Sequence, residues 1–186
     1  LAVFDDLVNA YCNPARHYHN LDHIAQILEL LEQIKDIADR FVVLQFSAWF
    51  HDYIYNPQGK DNEVASAIYA ERILQELNLD LEIIQPVKQI IISTKKHEPL
   101  LDSVDNLFFL DADLSILGTS PDKYWAYARA IRQEYQYLSD RDYSLGRKKV
   151  LNSFLKRARI YYSDRFYQQF EQQARKNLIA EIKAIN

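Results

Sequence analysis

Turn-forming residues are scarce in this chain: 186 positions hold only three Gly and five Pro. A protein of many short strands needs far more of that punctuation, so the sequence predicts long helices. From Leu21 the apolar residues Ile24, Ile27, Leu28, Leu31 and Ile34 recur at helical spacing, with Asn20 placed to cap and Asp22 in the first turn. Phe41 to Tyr55 is apolar nearly all round. Periodicity cannot separate helix from buried strand there, and its length favours a helix at the centre of the core.

Asn56-Pro57-Gln58-Gly59 reads as a turn, followed by a helix capped by Asp61 or Asn62 and ended by Asn78. Val87, Ile90, Ile91 and Thr94 give a further helical face, entered through Pro86. Leu107, Leu110, Leu114 and Leu117 give another, stopped by Gly118. Ser120-Pro121-Asp122 then opens a helix as cap, first-position proline and acidic first turn. Helices over roughly 123–138, 144–161 and 164–185 complete the chain, the last capped by Ser163. The expectation is an all-α bundle of seven to nine helices in a single domain over 1–186.

Composition narrows the function classes. A net charge of −4 argues for neither nucleic acid nor anionic membrane as partner, and no apolar run approaches the ~20 residues a membrane span needs. Cys12 is the only cysteine, which rules out an intrachain disulfide and a Cys-rich zinc module, and suits a cytoplasmic setting. The chain starts at Leu1 and contains no Met, so an initiator is expected upstream.

Chemistry concentrates at His51-Asp52, a polar pair closing the apolar Trp49-Phe50 run. Polar groups in such a place must be satisfied, and a metal ion satisfies both. His19 and His23 lie four apart upstream: they share a face if the helix starts early, and stay close if Asn20 caps it. Downstream, Asp111 and Asp113 point about 200° apart on a helix, so only one of them readily faces a shared site. Spacing does not choose between them. Imidazole nitrogens with a carboxylate suit Zn, Mn, Fe or Mg, and equally Co or Ni, at a hydrolytic centre.

With these residues in view, the chain resembles the HD superfamily of metal-dependent phosphohydrolases. That pattern is a His, a His-Asp pair and a distant Asp, matched here by His23, His51-Asp52 and Asp113. Closest is the bacterial group described only as predicted phosphohydrolases of that superfamily. Locally, Tyr18-His19-Asn20-Leu21-Asp22-His23 and Ala112-Asp113-Leu114-Ser115 are similar to motifs of the cyclic nucleotide phosphodiesterases. This implies His19 as proton donor, His23 as ligand and Asp113 rather than Asp111 as the carboxylate ligand. After His51-Asp52 the chain continues Tyr53-Ile54-Tyr55-Asn56-Pro57 and lacks the further Asp-His of the phosphodiesterases. The likeness therefore covers the metal pattern and not cyclic nucleotide hydrolysis.

The expected activity is hydrolysis of a small-molecule phosphate ester or phosphoanhydride, a nucleotide foremost, using one or two divalent ions, with Asp52 orienting or deprotonating the water. Glu63 and His97 are candidates for a second ion, Glu63 otherwise serving a helix dipole. Arg16, Lys60, Lys95 and Arg147, with His97, are candidates for gripping phosphate. Tyrosines 124, 127, 135, 137, 143, 161 and 162 read as packing, with one or two available to floor a base pocket. The rival readings are a non-catalytic nucleotide sensor and an HD-type di-iron oxygenase.

Overall fold

The computed structural model describes residues 2–185. Among them the chain is all-α, with nine α-helices, two short 3-10 helices and no strand. It divides into two compact units, Leu1–Ala112 and Asp113–Asn186.

The first unit holds α1 (Ala2–Tyr11), α2 (Leu21–Glu32), a 3-10 turn (Lys35–Ile37), α3 (Phe41–Phe50), α4 (Asn62–Glu76), α5 (Leu81–Ser93) and α6 (Val104–Asp113) up to Ala112. The all-round apolar segment is a helix, α3, and it packs against α2, α4 and α5. Val43, Leu44, Ala48 and Phe50 are fully buried on it. Each large apolar side chain so placed stabilises the fold by roughly 1.5–3 kcal/mol, a sizeable share of a domain's net 5–15. The position of α3 is thereby fixed, and with it the start of the His51-Asp52 turn.

Local signals set the ends of these helices. Asn20 caps α2, its side-chain oxygen accepting from the amides of Asp22 and His23 at 3.0 and 3.4 Å. Gly59 N–H closes the expected turn on the Asn56 carbonyl at 2.8 Å. Asn78, at φ 56°, ends α4: its amide reaches Gln75 and that of Leu79 reaches Leu74, the paired bonds of a Schellman stop.

Several boundaries differ from the sequence expectation: the apolar segment is helical only over Phe41–Phe50, short of Tyr55, and the helix expected over 144–161 spans Asp140–Leu155. α5 begins at Leu81, so Pro86 lies inside the helix rather than at its entrance. A proline there cannot donate to the carbonyl four residues back. That carbonyl, on Glu82, instead accepts from Arg40 Nη1 at 2.6 Å. The segment before Cys12, unassigned in the sequence, forms α1, with Leu7 and Tyr11 buried four apart.

The second unit contains a 3-10 helix (Leu114–Gly118), α7 (Pro121–Glu134), α8 (Asp140–Leu155) and α9 (Asp164–Ala184). α9 packs along the 3-10 helix and α8. A buried polar network fastens it: Arg147 on α8 grips Glu181 on α9 at 2.8 and 3.1 Å, and Tyr124 on α7 donates its hydroxyl to the same carboxylate. Asn177 on α9 donates to the Leu117 and Thr119 carbonyls, each at 2.9 Å. No described helix is long and apolar enough to cross a membrane.

Candidate metal centre

The His51-Asp52 pair stands where α3 runs out. His51 still has helical backbone, its amide donating to Ser47 O at 2.9 Å, and Tyr53 N–H then turns back to Phe50 O. The turn is pinned from α4 by Ser66, which is buried; its hydroxyl accepts from Ile54 N at 2.9 Å and donates to Ile54 O at 3.3 Å. On the other side, the Asn20 cap sets the first turn of α2 and so the direction of His23.

Three donor atoms converge between these elements. His23 Nε2 lies 3.3 Å from His51 Nε2. Asp52 Oδ2 is 3.1 Å from His51 Nε2 and 3.9 Å from His23 Nε2. Ligands bonded to one tetrahedral ion at ~2.1 Å sit about 3.4 Å apart, so the spacing suits an ion. The tautomer points the same way. His51 Nδ1 is 3.0 Å from the Ala48 carbonyl, which can only accept, so Nδ1 carries a proton, and in the neutral ring Nε2 then presents a lone pair. A neutral Nε2 facing the Asp52 oxygen would be satisfied by a cation between them.

The donor set is graded in exposure. His23 and His51 are 3% and 1% exposed, whereas Asp52 is 17% and His19 20% exposed, giving the cluster an inner wall of imidazoles and an open side. His19, just ahead of the Asn20 cap, has its Nε2 4.0 Å from Asp52 Oδ2 on that open side. Its ring stacks on Tyr55 at 4.2 Å and meets Tyr18 edge-on at 5.0 Å. Phe109 from α6 closes edge-on against His51 at 5.6 Å. Tyr55, Phe109 and the Ala48 carbonyl went unmarked in the sequence, and no spacing rule would have flagged them.

The other candidates are placed by element and burial. Asp111 is fully buried on α6 in the first unit; Asp113 ends α6, half-buried, as the first residue of the second unit. Glu63 is half-buried in the first turn of α4. Lys60 is exposed. Lys95 is ion-paired with Asp61 at 2.6 Å, which holds the Asp61 carboxyl below its ordinary value and raises the Lys95 ammonium. His97 is the second non-glycine residue at positive φ, 48°, and completes another Schellman stop: its amide reaches Thr94 and that of Glu98 reaches Ser93.

Arg147 is buried in the second unit, paired with Glu181. Burial works against its charge, but Tyr127 and Glu181 hold its pKa above the ordinary arginine value. The packing role expected of the tyrosines is met by Tyr124 and Tyr161, both fully buried, the latter bonded to the Leu114 carbonyl at 2.9 Å. Arg16 does lie beside the cluster, with Nη1 2.7 Å from the Asp52 carbonyl and Nη2 2.6 Å from that of Tyr53.

No family model, curated protein or solved structure matches this chain. The functional reading therefore rests on the cluster and on the motifs in the sequence.

Proposed function

We propose that the chain is a metal-dependent phosphohydrolase acting on a small-molecule phosphate ester or phosphoanhydride, nucleotides being the first class to test. The observation that carries the reading is the convergence of His23 Nε2, His51 Nε2 and Asp52 Oδ2. The residues fit a divalent ion such as Mn, Fe, Zn, Mg, Co or Ni by donor type and spacing. Such an ion, when bound, supplies Lewis-acid activation of water and of a phosphoryl oxygen.

The protein's own groups divide the remaining work. His23 and His51 form the buried wall and present neutral nitrogens. Asp52, partly open to solvent, orients the attacking water and accepts its proton. His19, 4.0 Å away on the same open side, donates a proton to the departing oxygen. Tyr55 stacks against His19 and restricts its ring to one plane.

The test is to measure bound metal by mass spectrometry and follow phosphate release from a nucleotide panel supplied with each of these ions. Asp52→Ala is expected to lose the metal and to slow release by about a hundredfold or more. His19→Ala should keep the metal and lose rate. A wild-type protein that takes up none of these ions and releases no phosphate overturns the proposal.

A further inference from the structure

Arg16 lies beside the cluster, and its contacts give it a different task from holding a phosphate. Its guanidinium reaches three backbone carbonyls on two separate segments: His19 at 3.4 Å, ahead of α2, and Asp52 and Tyr53 at 2.7 and 2.6 Å, after α3. Its carbon centre also lies 5.0 Å from the Tyr11 ring and 5.5 Å from the Tyr55 ring. Both rings are anchored. Tyr11 is buried and donates to Trp49 O at 3.0 Å, on the last turn of α3, while Tyr55 stacks on His19.

We infer that Arg16 is a positioning residue that locks the segment bearing His19 to the turn bearing Asp52, and so sets the geometry of the candidate metal centre. This rests on the metal reading above. The chemistry suits arginine in particular. Five N–H groups in a rigid plane can reach several carbonyls at once while both faces stay available to aromatic rings. Asp52 and His19 each carry a carbonyl in this set, so the distance between their side chains depends on one guanidinium. A lysine, a point charge on a flexible stem, cannot span the same three acceptors.

The experiment is a cobalt(II) titration of the full chain, followed by visible absorption, for wild type, Arg16→Ala and Arg16→Lys, with circular dichroism to confirm folding. Arg16→Ala is expected to bind cobalt about 10- to 100-fold more weakly, as when partners behind metal ligands are removed, and to show a shifted band. Millimolar guanidinium ion, too dilute to denature, should restore the wild-type band in Arg16→Ala and leave wild type unchanged. General loss of stability would be neither rescued nor accompanied by a new spectrum. Arg16→Lys should bind more weakly than wild type too, and it carries the test if Arg16→Ala does not fold. Wild-type affinity and spectrum in the folded variants overturn the inference alone. A wild-type chain that takes up no cobalt overturns the metal reading and this inference together.

Discussion

Gly118 shows how one residue type can be read correctly for the wrong reason. As the residue that stops a leucine face, it suggests a left-handed helix terminus, yet no glycine among the described residues has positive φ. The left-handed stops are made by Asn78 and His97 instead. Gly118 is required by close approach: a Cβ there would lie 2.5 Å from Phe170 Cβ and 2.6 Å from the Phe170 carbonyl oxygen. Backbone on α9 cannot rotate away as a side chain would. Gly118→Ala should therefore destabilise the protein by roughly 1–3 kcal/mol, as overpacking does, whereas Gly146→Ala, with nothing within 4 Å of the added atom, should be neutral or stabilising in a mid-helix position. Chemical denaturation of the two variants separates these outcomes, and equal effects would remove the steric explanation. The same limit applies at the candidate metal centre. The convergence of His23, His51 and Asp52 was legible because ligand types are few. Tyr55 and Arg16 were not given their roles, because a stacked ring or a carbonyl clamp is specified by contacts distant in sequence.

At the level of elements, what the sequence announces is short-range. Asn20, Asn78, Ser163 and the Asn56–Gly59 turn act within a few residues of themselves, and each lies where the pattern places it. The start of α5 escaped because the partner of its stranded Glu82 carbonyl is Arg40, 42 positions away. α1 was open to detection through the Val3, Leu7 and Tyr11 spacing, which is helical. A cap's worth can be tested directly. Asn20→Ala leaves the amides of Asp22 and His23 without their side-chain acceptor and should cost about 1 kcal/mol, lowering the melting temperature by about 2–4 °C. Asn20→Asp, which keeps an acceptor at the cap, should melt near wild type. Because the cap fixes the turn that carries His23, Asn20→Ala should also weaken metal uptake, while a variant that loses stability without losing metal would separate cap from site.

Across the whole molecule, both units bury or crowd tyrosine hydroxyls, and this sets their behaviour in alkali. In the first unit Tyr69 is pushed up to about 12 by desolvation and by its hydrogen bond with Tyr53, on which it stacks at 3.9 Å. In the second, Tyr143 is pushed up to about 12, desolvation again the largest cause, and Tyr124 is raised further by burial beside the Glu181 carboxylate. An unfolded chain ionises its tyrosines near pH ~10. Between that value and about 12 the folded protein therefore holds more protons than the unfolded one. Stability must then fall as pH rises through this window, after being fully present below it. The melting temperature should stay level from neutral pH to about 10 and then drop steeply, with tyrosinate absorbance appearing late and together with unfolding. Tyr69→Phe and Tyr143→Phe assign the effect to each unit separately, since phenylalanine keeps the ring packing and removes the proton. Each should flatten part of the alkaline slope while leaving neutral-pH stability less changed. If instead every tyrosine ionises near pH ~10 in the folded protein, the hydroxyls are solvated and the desolvation of Tyr69, Tyr124 and Tyr143 is overturned.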